Sequence, residues 1–238
     1  MILEVKQVHT YYGKSHILQG VSLALEPGEV VCLLGRNGVG KTTTLKSIMG
    51  MLKPRAGSIL FRGQELMGKE PYQIARLGLG IVPEERRIFA SLNVHENLLI
   101  GIKSGRPANP SGAMDWTIDR IYESFPRLYE RRESKGGHLS GGEQQMLTVA
   151  RTLMGNPELI LIDEPTEGLA PLIVKAVLEM LARIRDAGVT ILLVEQNFKA
   201  AMKLATRFYV MGKGMIVFEG DSKALNAADE VRRQYLEL

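Results

Sequence analysis

Val30-Val-Cys-Leu-Leu34 followed by Gly35-Arg-Asn-Gly-Val-Gly40-Lys41-Thr42 is the stretch from which the fold is read. Five consecutive apolar residues suit a strand buried on both faces, as in a parallel sheet. The segment behind them fits G-x-x-x-x-G-K-[ST], and a helix is predicted from Lys41 to about Leu52, stopped by Pro54. A glycine-rich turn that merely starts a helix is the plain alternative. The strand before it and the helix after it are, however, the context that a phosphate cradle requires. Glycines let the backbone wrap closely, successive N–H groups point at phosphate oxygens, and the helix N-terminus favours negative charge. Gly35, Asn37, Gly38, Gly40, Lys41, Thr42 and Thr43 are therefore candidate nucleotide contacts. Lys41 would reach the β- and γ-phosphates, and Thr42 would ligate Mg²⁺.

Working outward, residues 2–12 and 17–26 read as strands around Gly13-Lys14-Ser15, and residues 57–62 as another. Leu159–Ile162 and Val189–Val194 repeat the doubly buried pattern. Pro171–Asp186 is an amphipathic helix stopped by Gly188, and Arg207–Glu219 a hairpin around Gly212-Lys213-Gly214. Between about 85 and 155 the character is helical: Ile118, Ile121, Tyr122, Phe125 and Tyr129 keep helical spacing, with a break at Pro126. Ser104–Gly112 is a loop by composition. Strands alternating with helices imply an α/β core with a parallel sheet. A helical insert and a small antiparallel layer built from the N-terminus complete the expected single domain.

Two further segments carry chemistry. Leu159-Ile-Leu-Ile-Asp163-Glu164 delivers two carboxylates where a buried strand emerges, and open α/β sheets bind ligands outside the carboxyl ends of their strands. Asp163 would hold Mg²⁺ through water, and Glu164 would orient or deprotonate an attacking water. Leu139-Ser140-Gly141-Gly142-Glu143-Gln144 satisfies the S/T-x-x-E capping box ahead of an apolar face. Capping alone does not explain two glycines there, which cost helix stability. Bare N–H groups at a positive helix end form a second anion device. Two such devices in one chain suggest that two chains share each nucleotide.

Composition narrows the class. The 238 residues are 45% hydrophobic and 24% charged, with a net charge of +4, which excludes disordered, collagen-like and coiled-coil classes. One cysteine, Cys32, forms no internal disulfide and favours a reducing compartment. The longest uncharged run, Ser15–Leu25, has eleven residues, against the roughly twenty of a membrane-spanning helix. The start shows no basic region followed by an apolar core, so no export signal is read. The basic residues are dispersed and read as solvated surface, so no nucleic-acid partner is expected.

The order of phosphate loop, Leu-Ser-Gly-Gly-Glu-Gln and Leu-Ile-Leu-Ile-Asp-Glu-Pro resembles the ATP-binding cassette (ABC) ATPases over nearly the whole chain. Val82-Pro-Glu-Glu-Arg-Arg-Ile-Phe89, Asp163-Glu-Pro-Thr-Glu-Gly-Leu-Ala-Pro171 and Leu192-Leu-Val-Glu-Gln-Asn197 are similar to the ATPase subunits of branched-chain amino acid importers. Importers of urea or short amides share related segments. The resemblance implies a P-loop NTPase fold with residues 1–84 and 156–238 as nucleotide-binding core and antiparallel layer, and 85–155 as the helical signature subdomain. It also implies ATP and Mg²⁺ as ligands and a head-to-tail dimer with a second ABC ATPase. Ser140, Gly141, Gly142 and Glu143 would face the other subunit's ATP. Two membrane permeases and, indirectly, a solute-binding protein are the further expected partners, at the cytoplasmic face of the plasma membrane. Tyr12 matches the adenine-stacking aromatic, with Tyr11 as its rival. Three positions depart from the wider superfamily. Glu84, a candidate Mg²⁺ or water ligand, stands for the usual glutamine; Gln196, a candidate catalytic residue, for the usual histidine; Ala170 for an aspartate at the dimer seam. An amide donates a hydrogen bond to a phosphate but never becomes cationic. A soluble ABC ATPase acting on nucleic acid is the remaining alternative. Such proteins usually carry a long coiled coil or two cassettes, neither of which fits in this length.

Overall fold

The computed structural model describes residues 1–103 and 115–236. The predicted loop at Ser104–Gly112 lies outside the described residues. In chain order the elements are β1 (Leu3–Tyr12), β2 (Ser15–Leu25), β3 (Val30–Leu34), α1 (Lys41–Ile48), β4 (Ala56–Phe61), β5 (Gln64–Glu65), α2 (Pro71–Leu77) and β6 (Leu79–Val82). A helical stretch follows: α3 (Val94–Leu99), α4 (Ile118–Ser124), α5 (Pro126–Glu130) and α6 (Gly141–Leu153). The chain then returns through β7 (Leu159–Asp163), α7 (Pro171–Asp186), β8 (Thr190–Glu195), α8 (Phe198–Leu204), β9 (Arg207–Gly212), β10 (Met215–Asp221), α9 (Ser222–Ala227) and α10 (Asp229–Tyr235).

Among the described residues the strands form two sheets, one ordered β2-β1-β4-β5 and the other β10-β9-β3-β8-β7-β6. The first is antiparallel. In the second, β9, β3, β8, β7 and β6 run parallel and β10 closes the edge antiparallel. Every residue of β3 is buried, and its side chains alternate between two cores. Val30, Cys32 and Leu34 join α6, α7 and α8 on one face, while Val31 and Leu33 join α1 and the antiparallel sheet on the other. Burial on both faces is why these strands read as unbroken apolar runs. It also makes their register rigid, since a one-residue slip exchanges the two cores. The carboxyl ends of β3, β7 and β8 therefore stand side by side, at Leu34, Asp163 and Glu195.

The first helix stops at Ile48, short of the predicted Leu52. Gly50 adopts φ 68°, and a Cβ there would lie 2.6 Å from the Lys69 carbonyl oxygen. The N–H groups of Met51 and Leu52 both turn back to the Lys46 carbonyl at 2.9 and 3.2 Å, closing the helix with a left-handed glycine. Pro126 does mark a break: α4 ends before it and α5 begins on it. No helix among the described residues is long and apolar enough to cross a membrane.

Candidate nucleotide site

The loop between β3 and α1 curls because its glycines occupy conformations that other residues avoid. Gly38 and Gly40 have φ 80° and 114°. At Gly35 a Cβ would sit 2.6 Å from the Met211 carbonyl oxygen, so only glycine lets the loop pass β9. The loop's outer side, with Asn37, Gly38, Gly40, Lys41, Thr42 and Thr43, lines a cleft of about 410 Å³. Gly35 is not among the residues that line it.

Lys41 is 4% exposed. Its Nζ donates to the carbonyls of Gly35 at 2.8 Å and Arg36 at 2.9 Å, and pairs with Glu164 Oε1 at 3.0 Å. Beside it the Thr42 hydroxyl donates to Asp163 Oδ1 at 3.1 Å. Burial pushes the Asp163 carboxyl up to about 6 against the opposing Thr42 hydrogen bond, with the charges of Glu164 and Glu84 adding to the rise. Glu164 holds φ 43°, a conformation that costs a non-glycine residue about 1 kcal/mol or more and clusters at functional sites.

The cleft gathers most of the candidates on one surface: Tyr12, the loop residues, Glu84 and Glu164. Tyr12 projects into it, 46% exposed. Tyr11 instead stacks on His16 at 4.1 Å with Arg55 lying 4.2 Å over its ring. Gln196 does not line the cleft. It borders a neighbouring depression of about 290 Å³ together with Glu164, Glu167 and Glu195. Ser140, Gly141, Gly142 and Glu143 are likewise absent from the cleft wall within one chain. They start α6 with the predicted box: Ser140 Oγ accepts from Glu143 N at 3.3 Å, and Glu143 Oε2 accepts from Ser140 N at 2.9 Å.

Ile17, Lys46 and Glu167 also line the cleft and were not foreseen. Lys46 follows Lys41 by five residues along α1 and belongs to no motif. Glu167 sits in the turn after Glu164. A hydrogen bond between the two carboxyls, then burial and the Glu164 charge, raises Glu167 above its ordinary range.

Among the described residues no three His, Cys, Asp or Glu side chains converge to hold a metal. The protein's own donors are hard but incomplete: the Thr42 hydroxyl, the Asp163 carboxylate, and Glu84 on the wall of the same cleft. That set fits Mg²⁺, which keeps water and takes phosphate oxygens beside one or two carboxylates.

Comparison with known proteins bears on the family. Residues 18–167 match the family described as ABC transporter. BraG of Pseudomonas aeruginosa, a high-affinity branched-chain amino acid transport ATP-binding protein, is 43% identical over 99% of both chains. LptB of Haemophilus influenzae, a lipopolysaccharide export system ATP-binding protein, is 31% identical over 99% of this chain and 97% of its own. A crystal structure of the ADP conformation of an ATP-binding cassette of an ABC transporter superposes with TM-score 0.82 at 27% identity, covering 98% of this chain and 97% of that one. A glycine-rich loop over a lysine–glutamate pair, on a fold shared with an ATP-binding cassette solved in its ADP conformation and in a sequence matched end to end by transport ATP-binding proteins, identifies the chain as a member of the ABC transporter family, an ATP-binding cassette ATPase.

Proposed function

We propose that this chain is the ATP-hydrolysing subunit of a branched-chain amino acid importer, working on the cytoplasmic face of the membrane against two permease subunits. The single observation that carries the substrate class is the identity with BraG over the whole chain. LptB covers the chain as completely at lower identity, and its export role is the reading to be tested against. The division into a core of 1–84 and 156–238 with a helical signature subdomain of 85–155 belongs to the same proposal.

The residues divide the work as follows. Tyr12 stacks on the adenine, and the N–H groups from Gly38 to Thr43 receive the phosphates. Thr42 and Asp163, with Glu84, would hold the Mg²⁺ that accompanies ATP; the ion supplies positive charge to the phosphate oxygens. Lys41 exchanges its pairing with Glu164 for the β- and γ-phosphates. The freed Glu164 carboxylate takes a proton from the attacking water. The water oxygen bonds to the terminal phosphorus as the bond to the departing ADP oxygen breaks, leaving ADP and phosphate. Ser140–Gly142 lies off the cleft of its own chain, which supports its service to a partner cassette in a head-to-tail dimer. That second cassette is either the same chain or a related one. A solute-binding protein outside the membrane would select the cargo.

Mild-detergent capture of the tagged chain, with identification of the co-purifying proteins, tests the assignment. Permeases that take up leucine, isoleucine or valine in reconstituted vesicles are the expected companions. Capture of lipopolysaccharide-export components, or of permeases that move only urea, would redirect the assignment.

A further inference from the structure

Glu195 ends β8 as a carboxylate that is 2% exposed and forms no ion pair among the described residues. Three donors surround it: the Thr166 hydroxyl at 2.8 Å and backbone N–H at 3.3 Å on one oxygen, and the Asn197 N–H at 3.2 Å on the other. Burying a carboxylate without a cation is costly, and hydrogen bonds offset only part of the lost hydration. These bonds tie two loops. Thr166 belongs to the turn after β7 that carries Glu164 and Glu167. Asn197 follows Gln196 and caps α8, its Oδ1 accepting from Ala200 N at 3.1 Å. Both loops meet over Glu195 in the depression lined by Glu164, Thr166, Glu167 and Gln196.

We propose that Glu195 is a positioning residue for hydrolysis, a buried clamp that holds the Glu164 turn and the Gln196 loop in fixed relation through Thr166 and Asn197. The inference rests on Glu164 being the base, and it adds a role for a residue that does not line the nucleotide cleft. Glu195 is suited to the task because it can accept from both loops at once. A glutamine keeps one acceptor but turns an N–H₂ toward the Asn197 N–H or the Thr166 donors, so only half the clamp survives.

The test uses the purified full chain, measuring kcat and KM for ATP together with ADP affinity. Glu195→Ala should lower kcat by about 10- to 100-fold, as expected when reacting groups are displaced by roughly an ångström, with ADP affinity held within about two-fold. Glu195→Gln should fall between Ala and wild type, and it reports on the clamp if the alanine variant does not fold. Thr166→Val removes one donor of the same clamp, so Glu195→Ala/Thr166→Val should be no slower than Glu195→Ala alone. Unchanged kcat in Glu195→Ala, additive losses in the double variant, or ADP affinity and kcat falling in proportion would overturn the clamp. Wild-type protein that fails to bind ADP would instead overturn the nucleotide-site reading itself, so the two failures are distinguishable.

Discussion

Lys41 Nζ has three oxygen acceptors within 3.0 Å, one of them the Glu164 carboxylate, so the two side chains to which the proposed chemistry is assigned neutralise each other in this structure. Their pairing sets different outcomes for the two obvious substitutions. Lys41→Ala removes the phosphate counter-charge and leaves a carboxylate buried without its cation. Nucleotide affinity measured by titration should drop by about 10- to 10²-fold, the scale of a lost hydrogen bond to a charged group, and the protein should be less stable as well. Glu164→Gln removes the proposed base but leaves Lys41 both carbonyl acceptors. ATP binding should persist while turnover falls by about 10² to 10⁴; normal hydrolysis in that variant would remove Glu164 from the role. Gln196 stands near Glu164 and Glu167 and off the cleft wall. Gln196→His brings a group that protonates near neutral pH beside two carboxylates, so hydrolysis by the assembled transporter should rise, and an equal or lower rate counts against slow turnover being written at this position. Lys41 was legible in the sequence because motif spacing puts phosphate-binding groups on one loop, Glu164 because it follows a doubly buried strand, and Gln196 only through the family resemblance. Glu195 and Glu167 were not, since an acid at the end of an apolar run gives no sign of which loops will close over it.

At the scale of elements, the two glycines at the start of α6 have a packing reason that the sequence did not disclose. A Cβ on Gly142 would lie 2.3 Å from Ile173 Cγ2 on α7, and one on Gly141 would press on the Arg86 guanidinium at 2.9 Å. The small residues thus let α6 approach α7 closely, in addition to baring N–H groups. Gly142→Ala should destabilise the chain by about 1–3 kcal/mol, the usual cost of overpacking. Ile173→Ala should absorb the extra methyl, so that Gly142→Ala adds little in its presence; urea midpoints of the four proteins decide it. Long or doubly buried elements were readable for the same reason that they are stable. The apolar runs of β3, β7 and β8 and the stripe of α7 repeat over enough residues to show a period. Helices α2, α3, α8, α9 and α10 span only six or seven residues each, fewer than two turns, and their positions come from caps and tertiary packing. Asn93, Asn197 and Asp221 each accept from the N–H three residues on, a signal present in the sequence but common in loops too.

Across the whole molecule, the two sheets are joined at a polar strut as well as by the core between them. Arg207 on β9 binds Glu29 at 2.8 and 2.9 Å, Glu219 at 2.9 Å and the Ala24 carbonyl on β2 at 2.6 Å. The Tyr209 hydroxyl donates to Glu219 at 2.8 Å and accepts from Ala24 N at 3.2 Å. Burial pushes the Tyr209 phenol up to about 12. The native chain therefore keeps a proton that the unfolded chain loses near pH 10, and stability should decline as pH rises from about 10 to about 12. Tyr209→Phe should be less stable at neutral pH by about 1 kcal/mol yet lose that alkaline decline, as thermal melts across the range will show. Within a chain the phosphate loop and the Ser140–Gly142 cap occupy separate surfaces, and the proposed head-to-tail dimer would bring a second cassette's cap over each cleft. Glu164→Gln loaded with ATP should accordingly sediment as a dimer, at twice 26.3 kDa where the second cassette is the same chain and at the summed mass where it is a related one, and revert to the single mass with ADP. A Ser140→Arg substitution, which places a bulky side chain on the cap, should abolish that association while leaving ADP bound to the phosphate loop. Dimers that form equally well with ADP, or that survive Ser140→Arg, would place the contact somewhere other than the shared triphosphate.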